Sequence, residues 1–180
     1  PAGYKKIYEK IIKHHKLNVT LVEGGDRRQD SVINAIKKIK DDGIVLIHDS
    51  ARPLASANLF MRVYKSAKKY GNAIPVIPIP DTVKELDNNY VVKTLDREKL
   101  FLSQTPQGFR ISILKKAIKS IDSNFIYTDE ANLLEFLGDK IYTVEGERYN
   151  LKLTFKEDLD IIKSLVGLYE SKGWFGSWFS

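Results

Sequence analysis

The residues best suited to chemistry stand together at positions 48–53, in the sequence His-Asp-Ser-Ala-Arg-Pro. The four residues before them, 44–47, are all apolar, and such a run predicts a strand buried on both faces in the middle of a parallel sheet. Ligands of open α/β sheets bind beyond the carboxyl ends of the strands. The pattern therefore places His48, Asp49 and Arg52 where a binding site is expected.

Asp49 and Arg52 offer two kinds of chemistry at this position. A carboxylate is a ligand for a divalent metal ion, and a guanidinium binds an anion through parallel hydrogen bonds. The alternative is structural: Asp49 caps a helix while Arg52 pairs with it on the surface. His48 could act as a base, although a histidine at a strand end is more often a structural residue that forms hydrogen bonds.

A second stretch, Glu-Gly-Gly-Asp at 23–26, follows a predicted strand and precedes a predicted helix. Paired glycines let the backbone approach a ligand closely, and the start of a helix offers free amide groups to an anion. Ser31 lies within reach of this turn. A tight strand-to-helix turn without any ligand also explains the glycine pair, because short glycine signals are weak.

Four further basic residues deserve comparison. Arg97 and Lys152 each stand beside polar residues at the edge of an apolar run, and either could bind phosphate, the arginine through a fork and the lysine as a point charge. Simple solvation is the alternative for both. His14 and His15 have no partners at metal-ligand spacing, so we interpret them as surface residues.

The elements that must position these residues follow from hydrophobic periodicity. Periodicity predicts helices over 1–16, 31–39, 58–70, 112–121, 131–137 and 158–170, and strands over 18–22, 44–47, 73–80, 141–144 and 150–153. Strands that alternate with helices indicate an α/β chain with a mostly parallel sheet flanked by helices. A length of 180 residues fits a single domain over residues 1–180.

Three stretches have less regular patterns. The prolines in 73–80 predict a strand that is interrupted or paired on one side only, because proline donates no ladder hydrogen bond. Residues 103–109 are rich in turn formers and predict a loop. The aromatic and glycine-rich residues 173–180 have no period, and they predict no regular element.

Capping residues mark the starts of the last two helices. Thr128 or Asp129 can cap the helix over 131–137, where a carboxylate also favours the positive end of the helix dipole. Thr154 and Glu157 have the spacing of a capping box before the final helix.

Residues 81–97 predict a β-hairpin. Two runs of strand formers flank Asp-Asn-Asn at 87–89, whose side chains tolerate the backbone of a tight turn. Many residues of the hairpin are polar or charged, so it cannot bury a full apolar face of its own. We interpret the hairpin as a projecting arm that forms a dimer.

Composition excludes several classes of protein. The chain has 43% hydrophobic and 29% charged residues, which is ordinary for a globular domain. No apolar run approaches the about 20 residues of a membrane helix, and no signal peptide opens the chain. Cysteine is absent, which excludes disulfides and fits a reducing compartment such as the cytoplasm.

The net charge of +6 indicates anionic ligands. Lysines fall on the polar sides of the predicted helices, and no basic patch interleaved with aromatic residues is present. The charge therefore favours small phosphorylated ligands over DNA or RNA as partners.

Seven motifs in a fixed order resemble one known family. They are residues 22–32 (Val-Glu-Gly-Gly-Asp-Arg-Arg through Ser-Val), 48–53 (His-Asp-Ser-Ala-Arg-Pro), 81–84 (Asp-Thr-Val-Lys), 95–97 (Leu-Asp-Arg), 104–107 (Gln-Thr-Pro-Gln), 128–131 (Thr-Asp-Glu-Ala) and 150–154 (Asn-Leu-Lys-Leu-Thr). Together they resemble the 2-C-methyl-D-erythritol 4-phosphate cytidylyltransferases of non-mevalonate isoprenoid biosynthesis. The match runs from about residue 19 to residue 159.

The resemblance implies a Rossmann-like nucleotidyltransferase fold and a reaction of CTP. The phosphate of methylerythritol phosphate attacks the α-phosphate of CTP, which releases pyrophosphate and forms 4-diphosphocytidyl-2-C-methyl-D-erythritol. Catalysis of this kind depends on positioning and on positive charge, part of which a magnesium ion would supply. The location implied is the cytoplasm, or a plastid-type organelle in a eukaryote.

The resemblance also implies roles for the residues of the nucleotide half of the site. Gly24, Gly25 and Asp26 are similar to the turn that recognises cytosine, and Ser31 to the hydroxyl that supports it. The residues implied beside the metal ion and the nucleotide are Asp49, Ser50 and Ala51, with Asp49 as the metal ligand.

The remaining roles concern methylerythritol phosphate. Thr82 and Arg97 are similar to arm residues that reach into the neighbouring subunit, so the arm over 81–97 would serve both dimerisation and binding. The other residues implied in this pocket are Arg52, Thr105 and Thr128, and Lys152 is implied to contact the phosphates of both substrates. Asp49, Lys152 and Arg97 are the catalytic residues that the resemblance implies.

One part of the family pattern has no counterpart in this chain. The family opens with a strand and a glycine-rich loop whose Arg and Lys hold the triphosphate, and nothing before Pro1 supplies them. The resemblance thus implies an N-terminally truncated domain without its first strands, and impaired CTP binding by the chain. Two alternatives remain: a ribitol-5-phosphate cytidylyltransferase, or a nucleotide-binding protein without catalysis.

Overall fold

The computed structural model describes residues 4–122 and 124–171. Six α-helices lie within them: α1 Lys5–His14, α2 Arg28–Lys38, α3 Ala57–Tyr70, α4 Ile111–Ser120, α5 Glu130–Phe136 and α6 Asp158–Ser171. The seven strands of this part are β1 Ile44–Ile47, β2 Asn72–Pro78, β3 Lys84–Asp87, β4 Tyr90–Thr94, β5 Phe101–Ser103, β6 Gln107–Arg110 and β7 Thr143–Glu145. The predicted α/β class is confirmed. The tail over 173–180 lies outside the described residues.

The described residues divide into two compact units. The first takes the residues up to Gly43 together with Arg110–Lys140, and the second takes Ile44–Phe109 together with the residues from Ile141 onward. The prediction of a single domain stays a prediction.

Two predicted strands are wrong. Residues 18–22 and 150–153 have no strand partner within the described residues. The second stretch instead forms an isolated backbone hydrogen bond, in which Leu153 N donates to Ala51 O at 2.8 Å. The predicted loop over 103–109 is also wrong in part, since it contains the end of β5 and most of β6.

The sheet of the second unit has the strand order β1-β6-β2-β5, and β7 also pairs with β2. Within the described residues β1 therefore stands at one end of the sheet, and all four of its residues are half-buried. The expectation of a central strand buried on both faces was wrong for the described residues, because among them β1 pairs on one side only. The pairings of β2 are mixed: antiparallel with β5 and β6, and parallel with β7.

The prolines of β2 coincide with an interruption of its ladder. Asn72 and Ala73 pair with β6, whereas residues 76–78 pair with β5, so the antiparallel partner changes in between. At this break Gln104 N donates to Pro75 O at 2.9 Å. Residues 104–106, which connect β5 to β6, consequently form no strand pairs with β2. The side chain of Thr105 is therefore available for another contact.

Helix α3 covers this sheet. Leu59, Val63 and Ala67 on one side of α3 are completely buried, and burying a side chain of the leucine or valine size contributes about 1.5–3 kcal/mol. A Cβ on Gly108 of β6 would lie 2.9 Å from Val63 Cγ1, so only glycine allows this close approach. The helix begins at the cap Ser56, whose hydroxyl accepts from Leu59 N at 3.0 Å.

The predicted hairpin is confirmed. Among the residues that the structure describes, β3 and β4 pair only with each other, in a separate two-stranded sheet. Asn88 in the turn has φ +50°. Every residue of both strands is exposed, including Tyr90 at 80% and Val92 at 61%. The hairpin thus presents apolar side chains that its own unit does not cover.

The first unit is helical. Helix α4 is held at its start by Asp42, whose carboxylate accepts from Ser112 N at 3.0 Å, and Leu114 of α4 is fully buried. Asp129 caps α5 by accepting from Asn132 N at 2.8 Å, so it is the cap that the sequence left open between two residues. Across the described residues, no helix combines the length and apolar character needed to cross a bilayer.

The start of α6 differs from the expected capping box. Asp158 Oδ2 accepts from Thr154 N at 2.8 Å and from Phe155 N at 2.7 Å. The carboxylate one residue beyond Glu157 therefore takes the capping role, because two free amide groups point at it.

Candidate active site

An acid and a lysine face each other at the end of β1. Lys152 Nζ lies 3.1 Å from Asp49 Oδ2, and the two side chains are 47% and 17% exposed. The sequence placed both residues in the site without predicting their contact. A partly buried carboxylate paired with a solvent-facing ammonium group leaves the cation accessible to an incoming anion.

The backbone around Asp49 is tied to the loop that leaves the sheet at β2. Asp49 N donates to Thr105 Oγ1 at 3.0 Å, and Arg52 N closes a turn by donating to Asp49 O at 2.9 Å. The carboxylate is thus carried by a main chain that is held on both sides of its Cα atom.

His48 completes a chain of hydrogen bonds with Thr105. His48 Nε2 lies 3.0 Å from Arg52 O, and a carbonyl oxygen can only accept, so this nitrogen carries the proton. Nδ1 then accepts from the hydroxyl of Thr105 at 3.0 Å. Burial lowers the pKa of His48, which agrees with a neutral ring. His48 therefore acts here as a structural residue.

Arg52 is directed into the protein. Its Nη1 donates to Asn150 O at 2.8 Å, and its Nη2 lies 3.4 Å from Ser103 O. Burial lowers the pKa of this half-buried guanidinium. These contacts tie together three segments of the second unit, and they differ from the surface pair with Asp49 that was the structural alternative. The predicted contact with the sugar phosphate stays a prediction.

Two amide side chains position Lys152, and the sequence reasoning missed both. Gln104 donates to Glu147 O at 2.9 Å and accepts from Glu147 N at 3.0 Å, as a backbone strand would. The fully buried Asn150 donates to Thr105 O at 2.8 Å. The signal available was an Asn two residues before the lysine and a Gln beside the Thr-Pro turn.

The other two predicted nucleotide residues of this unit lie in the turn after Asp49. Ser50 is exposed and Ala51 is half-buried. Ala51 O accepts from Leu153 N, so this turn is joined to the residue that follows Lys152. The structure brings Asp49, Ala51, Thr105 and Lys152 together.

Thr82 and Arg97 lie at the base of the hairpin. Thr82 is exposed, and Arg97 Nη1 donates to Pro80 O. Thr82 lies between β2 and β3, and Arg97 lies between β4 and β5. Their predicted roles in a neighbouring subunit stay predictions.

The glycine turn belongs to the first unit. Gly25 N donates to Ser31 Oγ at 3.0 Å, which confirms that Ser31 reaches the turn. A Cβ on Gly25 would come within 2.3 Å of Asp30 Cβ, so a larger residue cannot occupy this position. Gly24 and Asp26 are exposed beside it. Cytosine recognition by this turn stays a prediction.

Thr128 is an exposed residue of the first unit, immediately before the cap Asp129. The next residue, Glu130, has no exposed surface and forms two hydrogen bonds with Arg28, at 2.9 and 3.0 Å. A buried carboxylate requires such a partner. The sequence pattern indicates no role for Arg28, and for Glu130 only a favourable charge at the start of the helix.

The fit of a magnesium ion rests on Asp49. Within the described residues no three His, Asp or Glu side chains are grouped as a metal site. Magnesium is commonly held by one or two carboxylates together with substrate phosphates. A single partly buried carboxylate beside a lysine is compatible with magnesium held jointly by Asp49 and substrate phosphates.

The fold identifies the class of protein through its match to solved structures. The structure of 4-diphosphocytidyl-2C-methyl-D-erythritolsynthase from Anaerococcus prevotii matches with a TM-score of 0.82 and 30% identity, over 92% of this chain and 78% of that chain. The 2-C-methyl-D-erythritol 4-phosphate cytidylyltransferase from Thermus thermophilus matches with a TM-score of 0.75 and 36% identity, over 79% and 70%. The chain is a nucleotidyltransferase.

Sequence comparison identifies the family. The family model for IspD, 2-C-methyl-D-erythritol 4-phosphate cytidylyltransferase, matches residues 4–167. The enzyme of that name from Bacillus cereus is 41% identical over 162 residues, which cover 88% of this chain and 72% of the relative. The chain belongs to the 2-C-methyl-D-erythritol 4-phosphate cytidylyltransferase family, which confirms the resemblance drawn from the seven motifs.

Proposed function

We propose that this chain transfers the cytidylyl group of CTP to 2-C-methyl-D-erythritol 4-phosphate. A phosphate oxygen of the sugar phosphate forms a bond to the α-phosphorus, the bond from that phosphorus to the bridging oxygen of the β-phosphate breaks, and pyrophosphate leaves. The observation that carries the proposal is the contact of 3.1 Å between Lys152 and Asp49, at the end of a strand in a member of this family.

Lys152 supplies a positive charge to the reacting phosphates. Its ammonium group is about half exposed and is held in place by the anchored residues on both sides of it, so little ordering is needed when substrate binds. Charge that develops on the α-phosphoryl oxygens is stabilised most by a cation that is already in position.

Asp49 is proposed as the protein ligand of magnesium. When bound, the ion would supply positive charge to the phosphate oxygens of CTP. Asp49 is suited to hold it because the carboxylate is partly buried and its main chain is fixed through Thr105. Lys152 would exchange its contact with Asp49 for one with phosphate.

Substrate recognition is proposed for the remaining residues of each unit. In the first unit, Gly24, Gly25, Asp26 and Ser31 recognise cytosine, and Thr128 contacts the sugar phosphate. In the second unit, Ser50 and Ala51 line the nucleotide, and the contacts with methylerythritol phosphate come from Arg52, Thr82, Arg97 and Thr105. Exposure of Thr82, Arg97 and Thr128 supports contact with a ligand.

A homodimer formed through the arm over 81–97 is part of the proposal. The exposed apolar side chains of the hairpin, Leu86, Tyr90, Val91 and Val92, support burial against a second subunit. Thr82 and Arg97 at the base of the arm would then reach the neighbour's substrate. We propose the cytoplasm as the location, as expected of bacterial members of this family.

The experiment compares two sugar phosphates with the full natural protein. Release of pyrophosphate from CTP and magnesium is followed with 2-C-methyl-D-erythritol 4-phosphate or with ribitol 5-phosphate. We expect turnover with the first and a far smaller kcat/KM with the second. Absence of pyrophosphate with methylerythritol phosphate overturns the proposal, and turnover of ribitol phosphate in its place identifies the rival activity.

Asp49→Asn tests the site within the same assay. We expect kcat to fall about a hundredfold or more, because the amide cannot replace a charged metal ligand. Asp160→Asn is the matched control: Asp160 is 86% exposed and lies 3.7 Å from Lys163 on α6, so its change should leave kcat unaltered. In the unsubstituted protein, CTP binding without turnover of either sugar phosphate would indicate a nucleotide-binding protein without catalysis.

A further inference from the structure

Helix α2 is joined by side chains to two separate segments of the first unit. One is the glycine turn at 23–26, and the other is the segment 125–130 that carries Thr128. The proposed function assigns the first segment to the base of CTP and the second to the sugar phosphate. The same helix therefore contacts both proposed substrate-binding segments.

The turn is attached to α2 by two side chains. Ser31 Oγ accepts from Gly25 N at 3.0 Å, and Asn34 Nδ2 donates to Glu23 O at 3.2 Å. These bonds fix the backbone of the turn on both sides of Gly24. Movement of the turn therefore requires movement of α2 or the loss of both contacts.

The other segment is clamped by the first two residues of α2. Gln29 Nε2 donates to Phe125 O at 2.9 Å, and Gln29 Oε1 accepts from Tyr127 N at 3.3 Å. Gln29 is 4% exposed, so both ends of its amide are used inside the protein. The clamp holds the backbone immediately before Thr128.

The second half of this clamp is the ion pair of Arg28 with Glu130. Two parallel hydrogen bonds of 2.9 and 3.0 Å join the guanidinium to a carboxylate that has no exposed surface. Such a pair fixes orientation as well as distance. Thr128 thus lies between two anchor points, at 127 and 130, which both lead to α2.

We propose that Arg28, Gln29 and Glu130 are positioning residues that couple binding of the nucleotide base to binding of the sugar phosphate. The inference rests on the proposed function. A ligand bound to the glycine turn restrains α2 through Ser31 and Asn34, and α2 restrains Thr128 through the clamp. By linkage, the sugar phosphate must raise the affinity for CTP by the same factor by which CTP raises the affinity for the sugar phosphate.

The coupling is measured in the full natural protein. The affinity of CTP is determined by calorimetry without and with saturating 2-C-methyl-D-erythritol 4-phosphate, in calcium to prevent turnover, and initial rates supply both KM values. We expect the sugar phosphate to raise CTP affinity by about tenfold in the wild type. In Glu130→Gln and in Gln29→Leu this increase should largely disappear.

The kinetic readout separates positioning from general stability. We expect Glu130→Gln to raise KM for the sugar phosphate by about tenfold while CTP affinity in its absence stays within about twofold of wild type. Arg28→Lys should show a partial effect, because a lysine keeps the charge and loses the fork. Asp160→Asn again serves as the charge-changing control.

Three outcomes decide the proposal. Loss of the coupling in both variants, with CTP affinity retained, supports it. Coupling that persists when Glu130→Gln and Gln29→Leu merely lower the melting temperature overturns it and leaves the proposed function intact. A wild-type protein that does not turn over methylerythritol phosphate overturns both proposals at once.

Discussion

The hydroxyl oxygen of Thr105 lies 3.0 Å from Nδ1 of His48, and this contact joins the loop between β5 and β6 to the end of β1. Thr105 also accepts from Asp49 N at 3.0 Å. The hydroxyl therefore donates one hydrogen bond to His48 and accepts another from Asp49 N. It positions Asp49, the proposed metal ligand, through its main chain. Its position depends on the change of antiparallel partner along β2, opposite residues 104–106.

Replacing Thr105 by Val tests this contact. The change keeps the shape of the side chain and leaves the partly buried Asp49 N and His48 Nδ1 without a partner, so we expect the protein to lose about 1–3 kcal/mol of unfolding free energy. We also expect kcat to fall, because Asp49 is no longer held. Urea denaturation and initial rates measure the two effects. Thr105→Ser keeps the hydroxyl and should remain close to wild type; equal losses in both variants would contradict the role of the hydroxyl.

Lys152→Met tests the proposed catalytic cation. We expect kcat/KM to fall about a hundredfold or more through the loss of charge stabilisation. The unfolding free energy should change little, because Lys152 is about half exposed and such ion pairs are weak. Steady-state kinetics and urea denaturation provide the comparison. A variant with normal kcat/KM would exclude Lys152 from catalysis, while Lys152→Arg should recover part of the activity.

Subunit mixing tests the proposed sharing of the active site. In a dimer of one Arg97→Ala and one Asp49→Ala subunit, one site retains both residues when Arg97 acts across the interface. Random pairing should then restore about a quarter of the wild-type activity from two inactive proteins. Differently tagged subunits allow the mixed dimers to be purified and assayed. Purified mixed dimers without activity would show that Arg97 serves its own subunit.

Tyr127 predicts a loss of stability at high pH. Burial, with a smaller effect of the Glu130 charge, raises the pKa of Tyr127 to about 12 from its ordinary value of 10.0. Because the folded-state pKa is raised, the contribution of Tyr127 to the unfolding free energy is present below pH 10 and is lost as the pH rises towards 12. Urea denaturation across this range should show a steeper decline for the wild type than for Tyr127→Phe.

The same variant has a second expected property at neutral pH. The buried hydroxyl of Tyr127 has no hydrogen-bond partner within the described part of the chain. Its removal should therefore leave the unfolding free energy at pH 7 nearly unchanged or slightly raised. A large loss at pH 7, or parallel curves at high pH, would contradict the burial of an unpaired hydroxyl.

The amino-acid sequence alone determined the class of the fold and the family. Hydrophobic periodicity located all six helices of the described residues, since an amphipathic helix carries its own signal within a few turns. The hairpin over 81–97 was likewise predicted, because turn formers and strand formers adjoin in sequence. The motif order indicated the family, which the comparisons confirm.

Tertiary structure alone decided which side chains meet. Residues 18–22 and 150–153 have strand-like composition, yet a strand also needs a partner, and pairing depends on parts of the chain far away in sequence. For the same reason the position of β1 at one end of the sheet could not be deduced from its apolar residues. The local sequence pattern indicates which secondary structure a segment can form, whereas the tertiary structure decides which segment it pairs with.

The positioning residues show this limit most clearly. Gln29, Gln104, Asn150 and Glu130 are polar, and nothing local to them in sequence indicates that each is buried. Their hydrogen bonds reach segments 43 to 102 residues away. The sequence could therefore name the residues expected to touch substrate, whereas the structure was needed to find the residues that hold them in place.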